Sequence, residues 1–240
     1  MTVLLFFLLA AGISVSAAAP VETLPDWFIP LREAAYEHQL TADEILPLYR
    51  QVYGTARESL SGAPMYVMLS RTEYMMGRAF QFEERNREAA VHFEAGMDFA
   101  QRALDIQASS EGWQMLGENL SQLIAVRASN TFAMANGLRV GRYAQNALDL
   151  NSRNAAAQIM IAARWVYAPA PFNNLRRGLE MMKAIPYNSD MEKDDMFNVY
   201  VAIGFAYLQQ RRPALARPWL LKALEVYPTN RFARILLDRT

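Results

Sequence analysis

Residues Phe197 to Asn230 read F-N-V-Y-V-A-I-G-F-A-Y-L-Q-Q-R-R-P-A-L-A-R-P-W-L-L-K-A-L-E-V-Y-P-T-N. The apolar positions recur at helical spacing on both sides of Arg211-Arg212-Pro213, so the stretch reads as two helices joined by a short turn. The first half sets Tyr200, Ile203 and Tyr207 around Gly204, and the second sets Ala216 and Ala223 around Leu220. Small residues at a helix crossing let one helix nest against the other, and large side chains fill what remains. Pro228 ends the pair, and Pro228-Thr229-Asn230 starts a terminal capping helix.

This order of large, small and aromatic residues resembles the tetratricopeptide (TPR) repeat, a helix pair of about 34 residues. Tyr200, Ile203, Gly204, Tyr207, Ala216, Leu220, Ala223 and Pro228 fall on the repeat's places without a gap. Three other stretches match less completely. In 70–103, Gly77, Phe80, Ala89, Phe93 and Gly96 keep the spacing, with no Pro to close the unit. Trp113-Gln-Met-Leu-Gly117 opens a second unit. Its partner positions, Ala144, Ala147 and Leu148, come about eleven residues late for the repeat, which implies a lengthened helix over 111–136. A third begins near Ala155, with Ala162 and Trp165 in the small and aromatic slots, and is interrupted by Ala168-Pro-Ala-Pro-Phe-Asn-Asn174.

The resemblance implies an all-α fold, a TPR-like helical-hairpin solenoid with irregular, lengthened repeats, compact and able to surround a central pore. Long helices with a Tyr167-Ala-Pro-Ala-Pro171 insertion also resemble periplasmic TPR components associated with TRAP-type solute transporters. That resemblance implies an accessory role beside a solute-binding protein, with ligand passing through a pore in a homo-oligomer. The lipid-anchored members carry a Cys that this chain lacks, which puts membrane anchoring by lipid in doubt.

Outward from the repeats, helical period continues over nearly the whole chain. Helices are expected at about 65–84, 87–107, 111–136, 138–150, 154–167, 174–184, 194–211, 213–226 and 230–239. Thr41-Ala-Asp-Glu44 is a capping box opening a helix to about Leu60, and Ser61-Gly-Ala-Pro64 breaks it. Residues 20–69 form the N-terminal lead-in and capping helices, and 70–240 the repeats with their terminal cap. Val3 to Val15 is almost wholly apolar and is followed by small residues, so 1–19 reads as a signal peptide, or as an anchor if uncleaved. No Lys or Arg precedes the apolar stretch, which departs from that pattern. The expected location is periplasmic or secreted.

Composition narrows the chemistry. Hydrophobic residues make up 52% and charged ones 20%, enough for a sizeable core. Lys+Arg and Asp+Glu are both 24, so no overall field draws in nucleic acid. There is no cysteine, which excludes disulfides and thiolate metal sites. With two histidines, a three-His metal site within the chain is excluded, and no cofactor or metal is expected. His92, beside the Phe93 packing position, reads as a partly buried structural histidine, and His38 as one meeting the end of the first helix dipole. Glu83-Glu84 reads as a turn, and Glu192-Lys-Asp194-Asp195 as acids favouring a helix N-terminus. Met75-Met76 and Met181-Met182 read as core. Neither acid pair signals an enzyme.

The concave side of the array remains as the working surface. Repeat position places Arg71, Tyr74, Arg78, Gln81 and Phe82 there from the first unit. The second adds Glu111, Gln114, Glu118, Ser121 and Gln122, and the last adds Asn198, Val201, Phe205, Leu208 and Gln209. The candidate ligand-binding residues are Arg71, Tyr74, Arg78, Gln114, Glu118, Asn198 and Phe205. An extended peptide or a small acidic solute could use such a face. The expected function is protein–protein interaction in the cell envelope, with transporter accessory as the alternative.

Overall fold

Short polar caps cut the chain into helices. Thr41 accepts from the Glu44 backbone N–H at 3.3 Å while Glu44 accepts from the Thr41 N–H at 2.8 Å. Ser109, Asn154 and Asn230 each accept from the backbone N–H three residues on, at 3.0, 2.9 and 3.0 Å. Each cap satisfies a donor that the first helical turn leaves without a partner.

The structure, a computed structural model, describes residues 23–168 and 171–240. The expected export segment, 1–19, and the middle of the Tyr167–Pro171 insertion lie outside them. The described residues form eleven helices: α1 (Ile29–Glu37), α2 (Ala42–Ser59), α3 (Gly62–Phe82), α4 (Asn86–Ile106), α5 (Ser110–Arg127), α6 (Asn130–Leu150), α7 (Ala155–Tyr167), α8 (Leu175–Asn188), α9 (Lys193–Gln209), α10 (Pro213–Val226) and α11 (Arg231–Leu237). No helix among the described residues is long and apolar enough to cross a membrane.

Consecutive helices pack as hairpins, and the glycines of the repeat pattern sit where they must. A Cβ on Gly204 would lie 2.6 Å from Cγ and Cδ2 of Leu220, and one on Gly77 would lie 2.6 Å from the Phe93 ring. The same crossing therefore recurs in the α3–α4 and α9–α10 hairpins. Ala216, Leu220 and Ala223 are fully buried, as are Ala89 and Phe93. Met75, Met76 and Met182 are core, as their spacing implies, and Met181 packs partly buried against them.

The lengthened unit differs from the expected single helix over 111–136. The chain breaks at Ala128, which is left-handed with φ 47°, and Ser129 caps the next helix by accepting from Phe132 N–H at 3.3 Å. The added residues extend the end of α5 and the beginning of α6 together, making one taller hairpin. Gly117 meets α7 before α6: a Cβ there would lie 2.9 Å from Sδ of Met160 and 3.4 Å from Cβ of Tyr143, while the late partner positions Ala144 and Ala147 are fully buried beside Met160.

The odd-numbered helices α1, α3, α5, α7 and α9 are neighbours in that order along the inner side. The row then closes on itself. Tyr36 of α1 stacks on Tyr227 at 4.8 Å between centroids and meets Phe197 of α9 edge-on at 5.6 Å. The Asn230 amide donates to the Tyr36 carbonyl at 2.7 Å, and Thr229 N–H donates to the Glu37 carboxylate at 2.9 Å. Thr23 and Glu33 reach Glu192 and Lys193 at the start of α9. The first helix thus bridges the two ends of the solenoid.

Candidate functional site

α3 supplies the backbone of the inner face. Arg71, Tyr74 and Arg78 stand three or four residues apart, so they share one side of the helix. Arg71 is buried and its Nη1 donates to Glu192 Oε2 at 2.6 Å. Burial works against its charge, but Glu192, Asp194 and Glu118 outweigh it and hold its pKa above the ordinary arginine value. Two turns on, Arg78 lies against the phenol of Tyr74 and 5.7 Å from the centroid of the Tyr36 ring. Burial raises the phenol pKa values of Tyr36, Tyr74 and Tyr167, so all three stay neutral beside that guanidinium.

α5 faces this row with Gln114 and Glu118. Gln114 donates to Glu118 Oε2 at 3.2 Å and accepts from Asn154 at 2.9 Å, fixing both residues to the turn before α7. Burial pushes the Glu118 carboxyl up to about 7, with Arg71 pulling the other way. The start of α9 completes an acid cluster. Burial and Glu192 raise Asp194 to about 6, and burial with Asp194 raises Asp195 as well. Burial alone would also raise Glu192, but Arg71 and the Thr23 hydroxyl hold it below the ordinary glutamate value. Asp195 accepts from the Glu192 N–H at 3.0 Å, which caps the helix.

Asn198 and Phe205 extend the face along α9. The Asn198 amide donates to the Tyr36 hydroxyl at 3.3 Å, and Phe205 lies 5.0 Å from the Tyr167 ring. Tyr167 is 47% exposed, and burial of part of its ring raises its phenol pKa. All seven candidate residues, Arg71, Tyr74, Arg78, Gln114, Glu118, Asn198 and Phe205, are therefore brought to one connected inner face. Arg71, Tyr74 and Gln114 are buried in it, and the other four are partly exposed. Of the remaining positions assigned there, Val201 is core, Glu111 and Gln209 are exposed, and Phe82 is covered by the His38 ring.

Repeat spacing did not reveal Tyr36, Tyr167, Glu192, Asp194 or Asp195 as parts of this face. The last three carried a signal, an acidic run before a helix, that accounts only for their capping.

The histidines are engaged elsewhere. His92 Nδ1 lies 2.6 Å from Glu73 Oε2, while the other Glu73 oxygen accepts from the Tyr49 hydroxyl at 2.7 Å. This buried link ties α2, α3 and α4 together. His38 is left-handed at φ 54°, and its Nδ1 accepts from the Arg231 N–H at 3.3 Å. Burial, with Arg78 and Arg231, lowers its pKa to about 3, so it is neutral and offers the helix dipole no charge, contrary to the expectation from its position. Glu83 also has a structural task, accepting from the Ala42 N–H at 2.7 Å.

The chain is a TPR-like helical solenoid. No family model matches it, and no curated protein does so in sequence. The crystal structure of YrrB, a TPR protein with an unusual peptide-binding site, covers 88% of this chain and 90% of its own, at 17% identity and a TM-score of 0.38. Likeness at that level assigns this chain neither a binding residue nor a ligand.

Proposed function

We propose that this solenoid is a binding module whose inner face receives part of a partner protein in the cell envelope. The observation that carries the reading is the convergence of residues from four hairpins and the bridging helix α1 on one partly exposed face of mixed charge and aromatic character. Grooves of this kind suit extended segments, where main-chain and side-chain contacts both count. His92 and Glu73 are held by each other and by Tyr49, and Glu83 and Asp195 by backbone N–H groups, which gives each a structural task. The apolar stretch Val3–Val15 supports export.

The test is affinity capture after cross-linking in the native envelope, with a charge placed inside and outside the face. Wild type and Val91→Arg, on the exposed side of α4, are expected to retain the same partner, and Phe205→Arg to lose it. Retention by Phe205→Arg with loss by Val91→Arg would overturn the reading. Recovery of a solute-binding protein as that partner would assign the chain to a transporter, the role expected of its periplasmic look-alikes.

A further inference from the structure

The inner face carries a guanidinium without an acidic partner at one end and a cluster of buried carboxylates at the other. At one end, no carboxylate among the described residues forms an ion pair with Arg78. Its surroundings include the neutral phenols of Tyr36, Tyr74 and Tyr167 and the neutral His38 ring, none of which cancels a charge. A guanidinium so enclosed, and still partly exposed to solvent, is suited to an incoming planar anion.

At the other end the acids outnumber their partners. Glu192 holds Arg71 and Thr23, and Asp195 caps α9. Asp194 is 9% exposed and its Oδ1 has no hydrogen-bond partner among the described residues. Glu118, partly exposed beside it, receives one hydrogen bond, from Gln114. The charged and titratable groups facing this pair are Arg71 and Tyr74 from α3, Arg32 and Tyr36 from α1, and Glu192 and Asp195 from the start of α9. Two arginines therefore face four carboxylates, an arrangement suited to an added cation. Burial raises Asp195 well above the ordinary aspartate value and holds Glu118 near 7 and Asp194 near 6, so protons meet much of that deficit at neutral pH until a cation takes their place.

Arg71 marks the acidic end and Arg78 the cationic one. Seven residues of helix at about 1.5 Å each put the two ends roughly 10 Å apart. An extended chain rises about 3.3–3.6 Å per residue, so roughly three residues separate the termini of a peptide that fits. We propose that the inner face binds short free peptides of about three residues, the ammonium terminus against Glu118 and Asp194 and the carboxylate terminus against Arg78. Tyr74 lies between the ends, and the partly exposed Tyr167–Phe205 pair offers an aromatic surface to an apolar side chain. The proposal rests on the inner face being the binding face.

Native mass spectrometry with a mixed library of free tripeptides tests this on the whole chain. Free tripeptides are expected to be retained, and N-acetylation or C-amidation is expected to weaken each by about tenfold or more, as for loss of a charge-assisted contact. Blocking the peptide leaves the protein unaltered, so this arm does not depend on a variant folding. Arg78→Gln is expected to abolish the penalty of amidation and Glu118→Gln that of acetylation, with Arg78→Lys restoring the former in part.

Equal retention of free and doubly blocked tripeptides would overturn the proposal. Retention of long blocked peptides alone, sensitive to Phe205→Arg, would overturn the zwitterion site and keep the inner face as the binding surface. Weakening by amidation without weakening by acetylation would identify a plain carboxylate site and likewise overturn it. Retention of no peptide at all, together with an envelope partner insensitive to Phe205→Arg, would overturn both readings.

Discussion

Replacing Gly204 by Ala sets two known effects against each other. Ala in a helix interior is favoured over Gly by about 1 kcal/mol. At Gly204 the new Cβ would stand 2.6 Å from both Cγ and Cδ2 of Leu220, a fully buried side chain. The clash reaches the branching carbon, so turning the far end of Leu220 does not relieve it, and the α9–α10 crossing must open. Overpacking of this kind costs about 1–3 kcal/mol. The net expectation is a loss of up to roughly 2 kcal/mol, or several degrees in Tm for a domain of this size. Gly54→Ala in α2 is the control. Nothing lies within 4 Å of its Cβ, so only the helix preference remains and stability should rise. Urea unfolding of both variants, with Leu220→Ala in each background, reads the effect. Removing Leu220 should cost less in Gly204→Ala than in wild type, because the clash goes with it. A Gly204→Ala variant as stable as Gly54→Ala, or additive with Leu220→Ala, would refute the crossing described here.

Glu73→Ala should destabilise by about 1–3 kcal/mol in chemical denaturation, since it leaves the Tyr49 hydroxyl and His92 without their shared buried partner. Glu118 has a folded pKa of about 7 against an ordinary 4.5, so the folded state binds its proton more tightly than the unfolded chain does. Its favourable contribution is complete below about 4.5 and is lost as pH rises through 7. Glu118→Gln should therefore flatten the stability–pH curve across that window, seen as a smaller fall in urea midpoint between pH 5 and pH 8. His38 carries the opposite sign: its folded pKa of about 3 lies below 6.5, so its contribution is complete above 6.5 and lost on acidification toward 3. His38→Gln should remove part of the acid-side fall in stability. Met134 and Leu138, on the tall α5–α6 hairpin, are 82% and 74% exposed, so Met134→Glu and Leu138→Glu should each alter unfolding by no more than about 0.5 kcal/mol.

The hairpins were legible where a glycine faces a large side chain. Gly77 with Phe93 and Gly204 with Leu220 could be paired from spacing because helical geometry leaves few alternatives at a close crossing. The α5–α6 boundary was not legible. Neither Gly nor Pro marks it; its one signal is the Ser129 cap, and the turn depends on Ala128 taking a left-handed conformation that Ala rarely adopts. The inner face divides the same way. Arg71, Tyr74, Arg78, Gln114, Glu118, Asn198 and Phe205 follow from position within a hairpin, a local property. Tyr36 and Tyr167 come from the bridging helix and the interrupted unit, and Glu192 to Asp195 face inward because α9 closes against α1 and α3. The placements of Tyr36 and the α9 acids depend on contacts between residues more than a hundred positions apart, such as Arg71 with Glu192, which no local pattern encodes.

The most direct measurement of the central claim uses a photo-cross-linking amino acid placed, one site at a time, at Asn198 and Phe205 on the inner face and at Val91 and Gln101 on the outer side of α4. In cells, the inner positions are expected to trap a common partner and the outer ones to trap none. Cross-links to that partner from Val91 or Gln101, with none from Asn198 or Phe205, would show that the solenoid works through its outer surface and contradict the account.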